Sequence, residues 1–553
     1  MKVLKSVTNK DADNKLCIQV DIRKTKGRVE PIWAWVGYDE PNFTYMKDGR
    51  KLLSELAEAS PVPVFVRTHN LLTSGDGTPA LKWGSTNIYT EDEGGNPVYE
   101  WTIIDKIFDT YIERGMKVLV EIGFMPEALS VKPKPYQHSW KPDASYEQVF
   151  TGWAYPPKDY DKWAELVYQW VEHSLARYGR EEVESWYWEL WNEPNIGYWQ
   201  GTIEEYLRLY DYTADAVKKA LPNARMGGPH VTGPNWDVSE KFLRSFLEHC
   251  LRGINHRTGK IGAPLDFIAF HAKGKPEMVN AHVRMDLGRQ LRDISKGFEI
   301  VADYPELNHL PIIIGESDPE GCAACSIEAH PENAYRNGSL YSSYTAAAFP
   351  RKIALADYFG VNLKGAVTWA FEFEDQPWFY GFRDLATNGV DKPVMNVLRM
   401  FGMMYGDRVE VQGDLAYDFL TVRDESVRGD KPDISAFATA GERSTAVMIW
   451  HYHDDNVPGP SASVALTIAG LPTERMLLHH YRVDQEHSNS YEVWKKMGAP
   501  QNPTTEQYVE LEKAGQLALL TSPKWVKPRD GSVLVEFELP RQAVSLLVLN
   551  WGK

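Results

Sequence analysis

The chain has 553 residues, more than one ordinary hydrophobic core accommodates, so two domains are expected. Its formal net charge of −16 at pH 7 argues against nucleic acid or an anionic membrane surface as the main partner, because both are polyanions. A hydrophobic content of 43% is typical of a soluble globular protein. There is no apolar run of about 18 residues, so no transmembrane helix is predicted.

The first 30 residues contain one strand-like run and no export signal. Residues 1–6 lack the long apolar segment of a signal peptide. We therefore expect a cytoplasmic protein, or a periplasmic or secreted one from which the signal has been removed. The apolar run at residues 17–22 precedes the first strand–helix unit. We predict that residues 1–30 form an N-terminal segment that adds this strand to the C-terminal domain.

Residues 31–404 alternate strand-like runs with amphipathic helices, a pattern that predicts a parallel sheet closed by crossover helices. Eight such runs predict a (β/α)8 TIM barrel, in which the carboxyl ends of the strands form the active-site face. The runs lie at residues 31–37, 63–69, 117–124, 186–195, 225–230, 265–271, 311–318 and 365–371.

The fourth run ends in Asn-Glu-Pro, which puts a carboxylate where a buried strand opens into a loop. Pro194 ends any regular strand ladder, so Glu193 lies at that opening. Trp188 and Trp191 are close in sequence, and apolar surroundings raise the pKa of a carboxyl group. Glu193 therefore suits a general acid, although a lone Asn-Glu-Pro is more often a salt-bridged strand end.

The seventh run also ends in a glutamate, Glu316, which lies 123 residues after Glu193. A barrel uses about 30 to 50 residues for each strand–helix unit, so this gap corresponds to three units. Two carboxylates across one barrel mouth are what glycoside hydrolysis requires. One protonates the leaving oxygen, and the other attacks the anomeric carbon or activates water.

The four cysteines do not form a metal site. Cys322 and Cys325 make a C-x-x-C pair just after Glu316, but Cys17 and Cys250 have neither the cysteine nor the histidine spacing that zinc needs. We expect no metal and no cofactor. For the pair we expect two free thiols in a loop, with a redox pair as the alternative.

Helices give way to alternating strand-like runs near residue 405. Thr445, Val447 and Ile449 place β-branched side chains at alternate positions, and similar runs continue to the end of the chain. This pattern predicts that residues 405–553 form an accessory antiparallel β-sandwich. A helical patch at residues 502–520 interrupts it.

With these residues in view, the chain resembles glycoside hydrolase family 39, and within it the β-xylosidases. The resemblance covers residues 31–404 and continues into the sandwich. It is carried by Trp-Asn-Glu-Pro-Asn at residues 191–195, by Val-Glu-Ile-Gly-Phe-Met-Pro at 120–126 and by Ile-Asp-Lys-Ile-Phe-Asp at 104–109. Asp-Phe-Ile-x-x-His at 266–271 and Trp-x-Phe at 369–371 also fit the family pattern.

The resemblance implies an exo-acting, retaining hydrolase that releases terminal β-D-xylose from xylo-oligosaccharides or another small glycoside. Glu193 would be the acid/base and Glu316 the nucleophile. The family usually has a Phe-Glu-Glu pair after strand 8 that grips the sugar. Here that loop is shorter, and Glu374 and Asp375 are the counterparts, followed by aromatic residues suited to close the pocket. Lys273 stands where the family often has tyrosine.

Other predicted substrate-binding residues follow the same strands. Asn192 would hydrogen-bond the sugar 2-hydroxyl, and Arg67 would keep Glu316 ionised. His69 and His271 are expected to be neutral partners of sugar hydroxyls, with histidines satisfied inside the core as the alternative. The aromatic candidates for a stacking platform or barrel-mouth packing are Phe124 and Trp369.

Three alternatives remain open at this point. A catalytically inactive carbohydrate-binding barrel would have lost one of the two glutamates, and both are present. Within enzymes, a related exo-glycosidase acting on arabinosides or on α-L-iduronides is the competing interpretation. An iduronide would require basic groups for its carboxylate, and Lys273 is the obvious candidate.

Overall fold

The computed structural model describes residues 15–135, 140–144 and 152–552. Residues 1–14 of the predicted N-terminal segment lie outside that range. In chain order the strands are β1 (Leu16–Arg28), β2 (Trp35–Tyr38), β3 (Phe65–Thr68), β4 (Tyr89–Glu91), β5 (Pro97–Tyr99), β6 (Lys117–Ile122), β7 (Tyr187–Leu190), β8 (Arg225–Val231), β9 (Phe267–Lys273), β10 (Glu277–Val279), β11 (His282–Arg284), β12 (Pro311–Asp318), β13 (Asn362–Ala366), β14 (Thr368–Trp369), β15 (Ala386–Thr387), β16 (Val390–Asp391), β17 (Asp407–Gly413), β18 (Asp433–Ala440), β19 (Ser444–Tyr452), β20 (Ala462–Ala469), β21 (Met476–Val483), β22 (Ala518–Val526), β23 (Ser532–Leu539) and β24 (Val544–Trp551).

The described α-helices are concentrated between the parallel strands. They are α1 (Lys47–Ala59), α2 (Thr102–Ile112), α3 (Tyr160–Tyr178), α4 (Arg180–Glu184), α5 (Ile203–Ala220), α6 (Asp237–Arg252), α7 (Leu287–Ala302), α8 (Ser339–Phe359), α9 (Pro393–Gly402), α10 (Phe419–Glu425), α11 (Ser490–Lys496) and α12 (Thr505–Gly515). Among the residues described, no helix is both long and apolar enough to cross a membrane.

The predicted TIM barrel is confirmed. The parallel strands follow one another as β2, β3, β6, β7, β8, β9, β12 and β13. The eighth position is shared by β13 and β14, and β14 returns to pair with β2, with Thr368 opposite Val36. The sheet therefore closes on itself, as the eight strand-like runs predicted.

The surrounding helices bury one apolar side against the barrel. In α3 the buried side chains include Trp163, Val167, Trp170 and Val171, which recur at helical spacing. Both faces of the sheet are thus covered, so its strands contain continuous apolar runs instead of alternating ones.

The second domain is a nine-stranded sheet whose spatial order is β22, β21, β24, β19, β18, β17, β1, β20 and β23. Buried residues from both ends of this order, such as Leu478 in β21 and Val533 in β23, belong to one hydrophobic cluster. The sheet therefore folds over its own core. It differs from a purely antiparallel sandwich at one place, because β1 pairs antiparallel with β17 but parallel with β20.

A buried ion pair joins the two domains. Arg351 on α8 lies 2.7 Å from the Asp433 carboxylate on β18. The indole of Trp450 donates a second hydrogen bond of 2.6 Å to the same carboxylate. The accessory sheet is thus attached to the outer helix layer.

Candidate active site

A cavity of about 490 Å³ opens at the carboxyl ends of the barrel strands. Loops after most of the barrel strands contribute side chains to it. The backbone is strained at Glu193, which lines the cavity, and at His230, whose carbonyl accepts a hydrogen bond from the Glu193 amide; their φ angles are 43° and 52°. Strained non-glycine residues of this kind tend to cluster at functional sites.

Glu193 and Glu316 face each other in this cavity. Glu193 follows β7, and Glu316 lies near the end of β12. Three atoms lie within 4.8 Å of one another: one carboxylate oxygen of Glu193, one of Glu316 and a ring nitrogen of His271. The strand positions inferred from the 123-residue spacing therefore bring the two carboxyl groups together.

Glu316 is surrounded by cations. Lys273 Nζ donates to its Oε2 at 2.8 Å, while Arg67 Nη1 and His69 Nε2 each lie 3.3 Å from its Oε1. Burial alone would raise the pKa of this carboxyl, but the charge of Lys273 and the hydrogen bond from His69 outweigh it and hold the pKa well below the usual range. Glu316 is therefore an anion at neutral pH.

Glu193 has the opposite electrostatic environment. Burial, and then the negative charge of Glu316, raise its pKa to about 8. Its Oε1 lies 2.8 Å from Nδ1 of His271, whose own pKa is held well below its usual range by burial. His271 is thus neutral, as predicted. The pair combines a protonated carboxyl with an ionised one, which suits a general acid opposite a nucleophile.

Arg67 connects the carboxylates beneath the cavity. The guanidinium is fully buried and lies 2.6 Å from Glu189, 2.7 Å from Glu121 and 3.3 Å from Glu316. It also donates to Oδ1 of Asn192 at 3.1 Å. Asn192 is itself 1% exposed, and no partner is found for its Nδ2 among the described residues. The Asn192 amide is thus buried against Arg67 with one unpaired donor, and it does not line the cavity.

His69 differs from the expectation of a neutral histidine. Burial would lower its pKa, but the negative charges of Glu121 and Asp39 outweigh that effect and raise it to about 9. Its Nδ1 lies 2.7 Å from Asp39. His69 is therefore a cation at neutral pH, because a histidine enclosed by carboxylates gains more from their charge than it loses by desolvation.

The structure adds an ion pair that sequence reasoning missed. Lys82 Nζ donates to Asp39 at 2.5 Å, and both side chains line the cavity although each is almost fully buried. Asp39 directly follows β2, so the sequence could have indicated a carboxylate at the carboxyl end of a barrel strand. Lys82 lies in the long connection between β3 and β4, and nothing in the sequence indicates that its side chain points into the cavity.

Of the two predicted aromatic residues, one lines the cavity and the other lies behind its wall. Trp369 lines the cavity, and its ring centroid lies 4.4 Å from that of His69. Phe124 is fully buried and stacks on Tyr198 at 5.5 Å, behind the cavity wall. Trp369 is thus positioned to meet a ligand, whereas Phe124 supports the wall.

The structure does not bring Glu374 and Asp375 to the cavity. Oε2 of Glu374 accepts a hydrogen bond of 3.0 Å from the backbone amide of Asp48, in the first turn of α1. An unpaired amide at a helix N-terminus is a favourable site for a carboxylate, which accounts for this position. The following aromatic residues, Trp378 and Phe379, pack against Trp494 in a separate cluster and do not close the cavity.

A different carboxylate, Glu320, lines the cavity after β12. It is held by Arg336 at 2.6 Å and also by Arg383. The loop that follows contains a disulfide between Cys322 and Cys325. The expectation of two free thiols is therefore wrong, because the loop brings the two Cα atoms to 5.6 Å, a separation that a disulfide spans.

Two clusters of the described residues have donor atoms close enough for a metal ion. Glu193, His271 and Glu316 form one, but Lys273 and His69 already supply the positive charge there. The other is Asp211, His249 and His256, remote from the cavity. Asp211 lies within hydrogen-bonding distance of both histidines at 2.9 and 2.7 Å, so these side chains satisfy one another.

The chain is similar to known proteins over most of its length. The model for glycosyl hydrolases family 39 matches residues 16–526. A β-xylosidase from Caldicellulosiruptor saccharolyticus is 26% identical over 521 residues, which cover 90% of this chain and 91% of that protein.

Two solved structures superpose on nearly the whole chain. A bacterial orthologue of human α-L-iduronidase has a TM-score of 0.75 at 19% identity, covering 98% of this chain and 84% of that one. A monomeric β-xylosidase from Caulobacter crescentus CB15 has a TM-score of 0.73 at 22% identity, covering 97% and 99%. At these identities the superpositions establish the fold.

The electrostatic coupling of the two glutamates makes a direct prediction. Because the charge of Glu316 raises the pKa of Glu193, the substitution Glu316→Gln should lower the pKa of Glu193 from about 8 towards its ordinary value. Side-chain carboxyl ¹³C NMR titration, with Glu193→Gln used to assign the signal, measures this. The control Glu374→Gln removes a carboxylate outside the cavity and should leave the titration unchanged. An unchanged pKa in Glu316→Gln would contradict the coupling.

Proposed function

Since the chain belongs to glycosyl hydrolase family 39, we propose that it is a retaining, exo-acting hydrolase that releases terminal β-D-xylose from xylo-oligosaccharides. The observation that carries the proposal is the pair of facing carboxyl groups, Glu193 protonated and Glu316 ionised, with one oxygen of each lying within 4.8 Å of the other. Such closeness favours a covalent mechanism. Retaining enzymes have carboxyl groups about 5–5.5 Å apart, whereas inverting enzymes leave roughly 6.5–9.5 Å for a water molecule.

In the first step, the Glu316 carboxylate attacks the anomeric carbon. A carbon–oxygen bond forms to Glu316 while the glycosidic carbon–oxygen bond breaks, and Glu193 gives its proton to the departing oxygen. The products are a glycosyl ester on Glu316, a free alcohol and an ionised Glu193. Arg67 and Lys273 keep the attacking carboxylate unprotonated before this step.

In the second step, Glu193 acts as a base. Ester formation removes the negative charge of Glu316, which was one of the causes of the raised pKa of Glu193. The pKa of Glu193 therefore falls, and Glu193 stays ionised until a water molecule enters the site. Glu193 then accepts a proton from water as the water oxygen bonds to the anomeric carbon. The bond from that carbon to the Glu316 oxygen breaks, and both glutamates return to their starting states.

Asn192 and the Asp39–Lys82 pair provide sugar recognition in this proposal. The unpaired Nδ2 of Asn192, the residue before Glu193, suits the 2-hydroxyl, a contact that strengthens in the transition state. Asp39 and Lys82 supply an acceptor and donors at the end of the cavity where Trp369 lies. We assign them the distal hydroxyls, in place of Glu374 and Asp375.

One observation favours a second candidate for the sugar that the enzyme releases. Lys273, unlike the tyrosine frequent in the family, puts an ammonium group beside Glu316 and Asp318 in the cavity wall. An ammonium at this position suits a sugar carboxylate, and a bacterial orthologue of human α-L-iduronidase has the same fold. The second candidate substrate is therefore an α-L-iduronide.

The division of roles predicts a dependence on the leaving group. Glu193→Ala should slow glycosides with poor leaving groups by about 10²–10⁴-fold in kcat/KM and activated ones much less, because activated leaving groups need little protonation. Azide should restore turnover and give a glycosyl azide of retained configuration. Glu316→Ala should be nearly inactive on every substrate, since no ester forms. Equal losses across leaving groups in Glu193→Ala would mean that the roles are misassigned.

The sugar assignment predicts a ranking within a panel of nitrophenyl glycosides. A pocket fitted to xylose should reject the additional CH₂OH of glucose by about 10- to 200-fold in kcat/KM, the range expected for one extra carbon in a closed site. Lys82→Met should lower kcat/KM for the β-xyloside, while Lys241→Met, an exposed lysine on α6, serves as the control. A ratio of β-xyloside to β-glucoside near one, or faster hydrolysis of an α-L-iduronide or arabinoside, would overturn the xylosidase assignment and leave the two-glutamate mechanism standing.

A further inference from the structure

We propose that the part of the cavity beyond Glu193 is a leaving-group subsite that binds an anionic residue, such as a uronic acid or an aromatic acid. The inference deepens the proposed function and rests on it, because it takes Glu193 as the group that protonates the leaving oxygen. The subsite is formed by Trp236, Lys275, Arg289 and Asp293, all of which line the cavity.

The cavity has two chemically different ends. Asp39, Lys82 and Trp369, from the loops and strands around β2, β3 and β14, form one end. The loops after β8 and β9 and the first turns of α7 form the other. Because the Asp39–Lys82 pair supplies polar groups for the sugar at the first end, the leaving group must extend towards the second.

Two cations at this second end lack an ion-pair partner. Across residues 15–135, 140–144 and 152–552, no carboxylate lies within 4.0 Å of the charged groups of Lys275 or Arg289. Lys275 is exposed and Arg289 is half-buried, and both line the cavity, so an anion there can reach their charged groups. An anionic leaving group would complete their pairing.

The acidic groups that face these cations do not neutralise them. Asp293 lies one helical turn after Arg289, and burial raises its pKa to about 7, so it is only partly charged at neutral pH. The other is Glu332, whose Oε1 lies 3.5 Å from the His330 ring. The subsite therefore retains a positive balance.

Trp236 supplies a flat apolar surface beside the cations. It lies at the N-cap of α6 and is 50% exposed, although large aromatic side chains in this barrel are otherwise mostly buried. A half-exposed indole in a cavity wall suits stacking against a sugar ring or an arene. The neighbouring Lys275 and Arg289 favour a ring that carries a carboxylate.

The subsite is preorganised. Asp293 on α7 packs its carboxylate against the loop after β8. Gly233 in that loop allows the contact, because a Cβ atom there would collide with the Asp293 carboxylate. Arg289 therefore stands on a helix that is fixed to the cavity wall, which reduces the entropy lost on binding.

The test compares two leaving groups that differ in charge. The probes are the β-D-xylosides of 4-hydroxybenzoate and of its methyl ester. The ester withdraws electrons more strongly and is the better leaving group, so a preference for the carboxylate cannot come from the chemistry of bond breaking. We expect kcat/KM to favour the carboxylate by about fivefold at low salt, the size expected for partly exposed charge pairs, and the preference to shrink as salt is added.

Matched variants locate the preference. Lys275→Gln/Arg289→Gln should abolish the preference by lowering kcat/KM for the carboxylate towards that for the ester. Trp236→Ala should lower kcat/KM for both probes, and Lys241→Gln on the exposed side of α6 should change nothing. A wild-type ratio at or below one, or a preference that persists in the double variant, would overturn the proposal.

The outcome also separates this inference from the proposed function. If neither xyloside is hydrolysed while another glycoside of the nitrophenyl panel is, the xylosidase assignment fails, and the same two leaving groups on that glycone test the subsite. An enzyme that hydrolyses no glycoside in the panel overturns both.

Discussion

The buried guanidinium of Arg67 is the interaction on which the site depends. A buried cation is stable only when anions surround it, and Arg67 is enclosed by Glu121, Glu189 and Glu316. Glu121 and Glu189 are thereby committed to this network beneath the cavity, which leaves Glu316 as the member that reaches the cavity surface. The same guanidinium orients Asn192 through its amide oxygen.

The network separates the protonation states of two carboxyl groups that lie side by side. Lys273, His69 and Arg67 stabilise the anion of Glu316, and that anion in turn raises the pKa of Glu193 to about 8. One charge therefore determines the state of both groups. In the proposed mechanism the same coupling turns Glu193 from acid to base, because forming the ester removes the charge that kept it protonated.

Much of this molecule could be predicted from its sequence, for physical reasons that also mark the limits. The barrel strands are short, buried and largely apolar, and Glu193 and Glu316 lie at the ends of two of these runs, so their meeting follows from local pattern and topology. The Asp39–Lys82 pair, the charge on His69 and the direction of Glu374 depend on contacts between distant loops. The same is true of β1, whose parallel partner β20 lies more than 400 residues away. The disulfide likewise depends on the conformation of a loop, which spacing alone does not determine.

The stereochemistry of the first-formed sugar tests the central claim most directly. The claim is that Glu316 attacks carbon and Glu193 protonates oxygen, which requires two displacements at the anomeric centre. ¹H NMR of a freshly started reaction, on whichever nitrophenyl glycoside is hydrolysed fastest, resolves the anomers before mutarotation. The account predicts that the first product has the configuration of the substrate. A first product of inverted configuration would contradict it, because a single displacement by water leaves Glu316 no role as nucleophile.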